Sequence, residues 1–205
     1  MGLVLKRRGQ ISLEFMLVFA IMLVMLLYSV RNVTFSSDSP SNGALAVQIA
    51  VEEKNIANTI ASAIDQVYAQ GPGSKVTVYA HFVLLRNSEY LSRAFNVSSP
   101  EVQILLLGTS DPLFPSTSGG SVVAVAVVGN GNTTPILSGS NRTGVWVKTY
   151  FPYSSSSPSS FKVVLNPSSI PDTIRIVVEW NPNVPVSMSY NSTDGTLYIN
   201  ISPGD

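Results

Sequence analysis

The chain of 205 residues contains no cysteine. Disulfides, thiolate metal sites, iron–sulfur clusters and cysteine nucleophiles are therefore excluded together. It has one histidine, His81, which leaves little for multi-histidine metal binding or for general acid–base chemistry. Charge is scarce too: charged residues make up 12%, about half of the usual share. Lys+Arg and Asp+Glu each number 12, so no basic field exists to hold nucleic acid. What remains is an ordinary 45% of apolar residues with 30 Ser, 12 Thr, 14 Gly and 13 Pro. A chain of this length suits one domain, or one domain with an appendage.

The N-terminus carries the strongest pattern. Lys6, Arg7 and Arg8 form the one basic cluster, followed by Gly9 and Gln10. Ile11 to Tyr28 then reads ISLEFMLVFAIMLVMLLY, apolar except for Ser12 and Glu14. Extended to Phe35 it makes a helix of 25 residues, or roughly 37 Å, enough to cross a bilayer core of about 30 Å. The basic cluster before it stays cytoplasmic, so the rest of the chain faces outward. An ordinary secretory signal puts a small-residue cleavage site after its apolar run, and Tyr28-Ser29-Val30-Arg31-Asn32 is a poor match to one. Glu14 is costly in such a helix, and more so the deeper it lies. No Lys or Arg follows it until Arg31. A cut between Gly9 and Gln10 would free an α-amine at the positive end of the helix dipole, and that amine is the cationic partner within reach.

The stretch KRRGQISLEF resembles the class III signal peptide of archaeal type IV pilins, with Gln10, Ser12 and Glu14 in the family's Q-x-S-x-E order. Val18 stands where that family often has Leu. IANTIASAIDQVYAQGPGSKVTVY, Ile56 to Tyr79, is more loosely similar to the second half of such pilin N-terminal regions. The resemblance implies that a prepilin peptidase cuts after Gly9, behind Lys6, Arg7 and Arg8, and leaves the apolar helix on the mature chain. It implies an assembly ATPase and a membrane platform protein as further partners. The mature chain, Gln10 to Asp205, keeps 9 basic and 12 acidic side chains, a net charge of −3.

Beyond the apolar run, Phe35 to Gly43 breaks the pattern, since Pro40 is costly in a helix interior. Ser39 as N-cap with Pro40 at the first helical position is a good helix start. A helix is expected from Pro40 to Gln70, with Gly71 and Pro72 as its stop. Its apolar stripe is Leu45, Ile49, Ile56, Ile60, Ile64 and Val67, with Glu52, Glu53, Lys54, Asn58 and Asp65 mostly off it. Strands rich in Val, Ile, Tyr and Thr are expected at 75–86, 121–129, 144–151, 161–166, 173–180, 186–190 and 196–201. Glu101 to Leu107 reads equally as strand or short helix. Asn191 to Gly195 is a hairpin with Asp-Gly at the turn. STSGGS at 116–121 and SSSSPSS at 154–160 are exposed loops.

The expected class is therefore α+β: a long apolar N-terminal helix and a second amphipathic helix, packed on a C-terminal all-β sandwich, pilin-like, with an immunoglobulin-like arrangement as one form. The expected organisation is a leader at 1–9, a membrane or filament-core helix at 10–35, a kinked or melted connector at 36–43, the amphipathic helix at 44–72 and an extracellular β domain at 73–205. Sequons occur at Asn32, Asn96, Asn132, Asn141, Asn191 and Asn200, where chance gives about three. N-linked glycans there would solvate a surface poor in charge.

Weaker constellations fill out the reading. Gly129-Asn130-Gly131-Asn132 lacks the third glycine of a dinucleotide loop and reads as a turn. Asp111, Asp172 and Asp194 lie in loops without EF-hand spacing, so no metal is assigned. Trp146, Tyr150, Phe151 and Tyr153 form an aromatic cluster, for packing or as a sugar-stacking platform. No acid–base–nucleophile set is present, so neither a catalytic residue nor a cofactor is assigned. The expected role is a structural pilin. It would form a homo-oligomeric helical filament at the cell surface, with the helix in the membrane before assembly and Glu14, Gln10 and Ser12 setting register. A minor pilin or tip adhesin, or an anchored extracellular binding protein that never polymerises, remain alternatives. An archaellin is a further option.

Overall fold

In the computed structural model the described residues are 3–34, 40–108, 111, 113, 120–132, 134–139, 141–153 and 161–202, with side chains described for 15–30 and, within those ranges, from 41 onward. The chain divides into two compact units, 1–44 and 45–205.

Helix α1 spans Leu3–Thr34. No proline interrupts it, and it runs unbroken through the Gly9–Gln10 peptide, so it begins inside the expected leader. Side chains from Phe15 to Val30 are all exposed. Among the described residues no helix is long and apolar enough to cross a membrane; the side chains of Ile11 to Glu14, which complete the apolar run, lie outside them. The expected connector residues 36–39 also lie outside. Helix α2 spans Pro40–Gln70. Pro40 occupies its first position, where a missing N–H costs nothing. Residues 40–43, expected in the connector, are therefore helical. Gly71 ends α2 with φ +86°, a left-handed conformation natural to glycine.

The β region holds eight strands: β1 Lys75–His81, β2 Glu101–Leu107, β3 Ser121–Val128, β4 Gly144–Thr149, β5 Lys162–Leu165, β6 Thr173–Glu179, β7 Ser187–Asn191 and β8 Thr196–Asn200. They form two four-stranded sheets, ordered β1-β6-β8-β7 and β4-β3-β2-β5. Pairing is antiparallel except between β6 and β8. β7 and β8 make the expected hairpin: Asn191 pairs with Thr196, and Gly195 takes φ +63°.

One core joins α2 to both sheets. Ile49, Ile56, Ile60, Ile64 and Val67 of α2 are buried with Val102, Ile104 and Leu106 of β2, Val123, Val125 and Val127 of β3, and Ile174, Ile176 and Val178 of β6. Each fully buried aliphatic side chain contributes on the order of 1.5–3 kcal/mol, so the α2 stripe is a large part of what holds the helix on the β region. The opposite face of the second sheet is buried as well, through Leu105, Leu107, Val122, Ala124 and Ala126 under Leu137. Gly144 is required there, because a Cβ on it would stand 2.3 Å from the Ala126 Cβ.

Burial on both faces explains why Glu101–Leu107 showed no period: it is a strand with apolar residues on each side. Two expectations change. The strand from Lys75 stops at His81, short of Arg86, and the chain turns away into a helix α3 at Ser88–Phe95. Asn87 caps that helix through Oδ1, which accepts from Glu89 and Tyr90 N–H.

Candidate functional site

Lys6, Arg7, Arg8, Gly9, Gln10, Ser12 and Glu14 all fall on the backbone of α1; their side chains lie outside the described residues. Gln10 and Glu14 stand one helical turn apart and share a face, while Ser12 does not. The stretch that follows carries no charge from Phe15 to Val30 and is apolar through Tyr28. Phe15 is 70% and Tyr28 also 70% exposed. Exposed apolar surface of this extent is covered by lipid or protein in the working state of a molecule.

Residues 7–33 match the family model described as class III signal peptide. The chain carries a class III signal peptide. That signal marks a type IV pilin-like precursor and implies processing by a prepilin peptidase and pilus-assembly machinery. No curated protein and no solved structure matches the chain.

In this pilin-like precursor α2 grips the β region with polar groups as well as apolar ones. The Glu52 carboxylate accepts the N–H of Val83 at 2.7 Å, of Leu84 at 2.8 Å and of Leu85 at 3.4 Å. Lys54 Nζ donates to the Trp146 carbonyl at 2.9 Å. Asp65 accepts from Tyr150 N–H at 2.8 Å. Burial pushes the Asp65 carboxyl upward, and the backbone N–H groups of Tyr150 and Phe151 pull it partly back.

Glu53 was expected off the apolar stripe; instead it is buried, at 1% exposure. Its Oε1 has no hydrogen-bond partner among the described residues. Burial drives its carboxyl well above the ordinary range; the neighbouring Glu52 adds to this and Arg142 opposes it. Glu53 stands four residues after Ile49 and three before Ile56, so the helical period itself places it on the buried stripe, nearer its centre than Glu52.

The aromatic cluster does not form a platform. Phe151 is fully buried and meets Tyr68 edge-on at 5.9 Å and Tyr153 stacked at 6.2 Å. Trp146 packs on the second apolar face, and Tyr150 stands exposed by itself at 81%. Trp180 and Phe161, which the sequence did not single out, complete the core cluster by stacking on Tyr68 and by an edge contact to Tyr153.

His81 is exposed and its Nδ1 bonds Thr173 Oγ1 at 2.9 Å. The three loop aspartates serve separate turns. Asp111 accepts from Leu113 N–H, Asp172 pairs with Arg86, and Asp194 accepts from Thr196 N–H and pairs with Arg175. No group of three or more His, Asp or Glu that could hold a metal occurs among the described residues. The 129–132 stretch is the expected turn, with Asn130 Oδ1 accepting from Ser98.

The sequons divide. Asn96, Asn132, Asn141 and Asn191 are exposed. Asn32 lies on α1, with its side chain outside the described residues. Asn200 is buried, and its Nδ2 donates to the carbonyls of Val184 at 2.7 Å and Pro185 at 3.1 Å. A glycan on that nitrogen is incompatible with this packing, which sequence spacing does not reveal.

Proposed function

We propose that the mature chain, Gln10 to Asp205, is a structural subunit of an archaeal type IV pilus, polymerising through α1 into an extracellular filament for adhesion or surface attachment. The observation that carries this reading is the exposed apolar surface from Phe15 to Tyr28 behind a class III signal peptide. In this reading a prepilin peptidase removes residues 1–9. The helix waits in the membrane, and an assembly ATPase and platform protein draw it into a bundle of like helices. Lipid tails and leucine side chains are equally apolar, so close packing rather than escape from water sets the gain on assembly.

Glu14 supplies register. Buried alone in a helix bundle, its carboxylate would be an unpaired charge costing several kcal/mol. The Gln10 amine of an adjacent subunit neutralises it at one axial offset. No catalysis, metal or cofactor enters this role, and any N-linked glycans on the exposed sequons solvate the outer sheath.

The test is Glu14→Ala. The variant should be cleaved after Gly9, as intact mass beginning at Gln10 shows, yet remain in the membrane with few filaments. Normal piliation would refute the register role, and a mature mass beginning at Met1 would refute the pilin reading itself. Dominance of this chain in sheared filaments would separate a major subunit from a tip subunit.

A further inference from the structure

Glu53 lies against a cavity of about 190 Å³ that it lines with Ala50, Phe95, Arg142 and Gly144. A second, open groove of about 450 Å³ runs beside it between α2 and β4, lined by Val47, Lys54, Leu137 and Trp146, and again by Arg142 and Gly144. Arg142 therefore stands at the rim of both spaces. It is exposed, whereas the carboxyl across the inner cavity is buried with one oxygen unpartnered among the described residues.

We infer that Glu53 and Arg142 form a latent ion pair, and that its closure reshapes the groove beside Trp146. With Glu53 protonated, the neutral carboxyl rests in its apolar cavity and Arg142 remains at the outer rim. When Glu53 releases its proton to solvent, a bare carboxylate in that cavity is costly. The guanidinium then swings inward and meets it as a fork on a carboxylate. The outer groove loses Arg142 from its wall, and Trp146 gains contact with water. The inference is independent of the filament reading.

The charges around Glu53 favour this partner. On α2 its neighbours are Glu52, which carries the 83–85 backbone, and Lys54, which is tied to the Trp146 carbonyl. α3 presents Phe95 to the cavity, while its Glu89 and Arg93 are exposed. On the β4 side Arg142 and the Gly144 backbone line the cavity, and Lys148 is exposed farther along the strand.

The chain has two tryptophans, Trp146 and Trp180, so Trp180→Phe leaves Trp146 as the sole indole emitter. The test follows its emission in the full chain in detergent micelles, from about pH 4 to about pH 9, a range that brackets a raised carboxyl. A sigmoidal red shift with rising pH is expected, centred above the ordinary glutamate range. It should vanish in Glu53→Gln and in Arg142→Gln, each in the Trp180→Phe background. A shift that persists in either variant, or no shift in the parent, overturns the inference. If Glu53→Gln fails to fold, Arg142→Gln decides alone, since it leaves the buried carboxyl in place and removes only the moving partner.

Discussion

Glu52 and Val83 meet at 2.7 Å, a helix carboxylate receiving a backbone N–H from just beyond the end of an edge strand. The contact marks where β1 ends: the N–H groups of residues 83–85 turn to α2 instead of continuing the ladder with β6.

Glu52→Ala should destabilise the fold by about 1.5–3 kcal/mol, the range for hydrogen bonds to a charged group. Glu52→Gln keeps one acceptor and should lose less. Urea denaturation of the two variants checks the order. Equal stability of Glu52→Ala and the parent would show that the bonds to 83–85 contribute nothing net.

Glu53 makes stability depend on acidity. Burial raises its folded pKa well above the ordinary glutamate value, so the folded state holds the proton more tightly than the unfolded chain. Folding is favoured by this group at low pH, and that advantage is lost as pH rises from about 4.5 through the folded pKa. Glu53→Gln removes the titration. The variant should gain on the parent progressively over that window and then level off, as melting temperatures across a pH series would record. A difference that stays flat with pH would contradict the burial.

Gln103 is 1% exposed and neither amide atom has a partner among the described residues. It sits between Ala126 and Val164 in the sheet register. Gln103→Met keeps the length of the side chain and removes the stranded polar atoms, so it should stabilise the protein by about 1 kcal/mol. A lower melting temperature would mean that the amide is satisfied in solution.

Glycan occupancy should follow exposure. Glycopeptide mass spectrometry should find any N-glycan of the β region on Asn96, Asn132, Asn141 or Asn191 and none on Asn200. Asn200→Asp, which deletes the donor to Val184 and Pro185, should cost about 1–3 kcal/mol. Glycan on Asn200 in folded protein would exclude the packing described.

Much of the architecture was readable because the periods were clean. Ile49, Ile56, Ile60, Ile64 and Val67 recur as a helix face, and all are buried. The leader and Q-x-S-x-E spacing are local, and residues 7–33 carry their own family signal. What was not readable depends on distant residues. α3 has only Leu91 fully buried, too little for a periodic signal, although Asn87 with Glu89 in the first turn and Arg93 in the last is a legible cap pattern. Glu53 falls on the same face as Ile49, Ile56 and Ile60, so its position was legible and its acidic character hid it. Asn200 turns inward because the 181–185 turn offers carbonyls to it, a choice not written in the neighbouring sequence.

The three polar anchors on α2 share a property with a consequence for change. Glu52, Lys54 and Asp65 hold peptide groups at 83–85, 146 and 150. At Val83 and Tyr150, whose side chains are exposed, the residue can change while the tether stays, since all but proline offer the same N–H. The outer surface is thus free to vary in chemistry without losing its position, and proline at 83, 84, 85 or 150 is the substitution that would cut it loose.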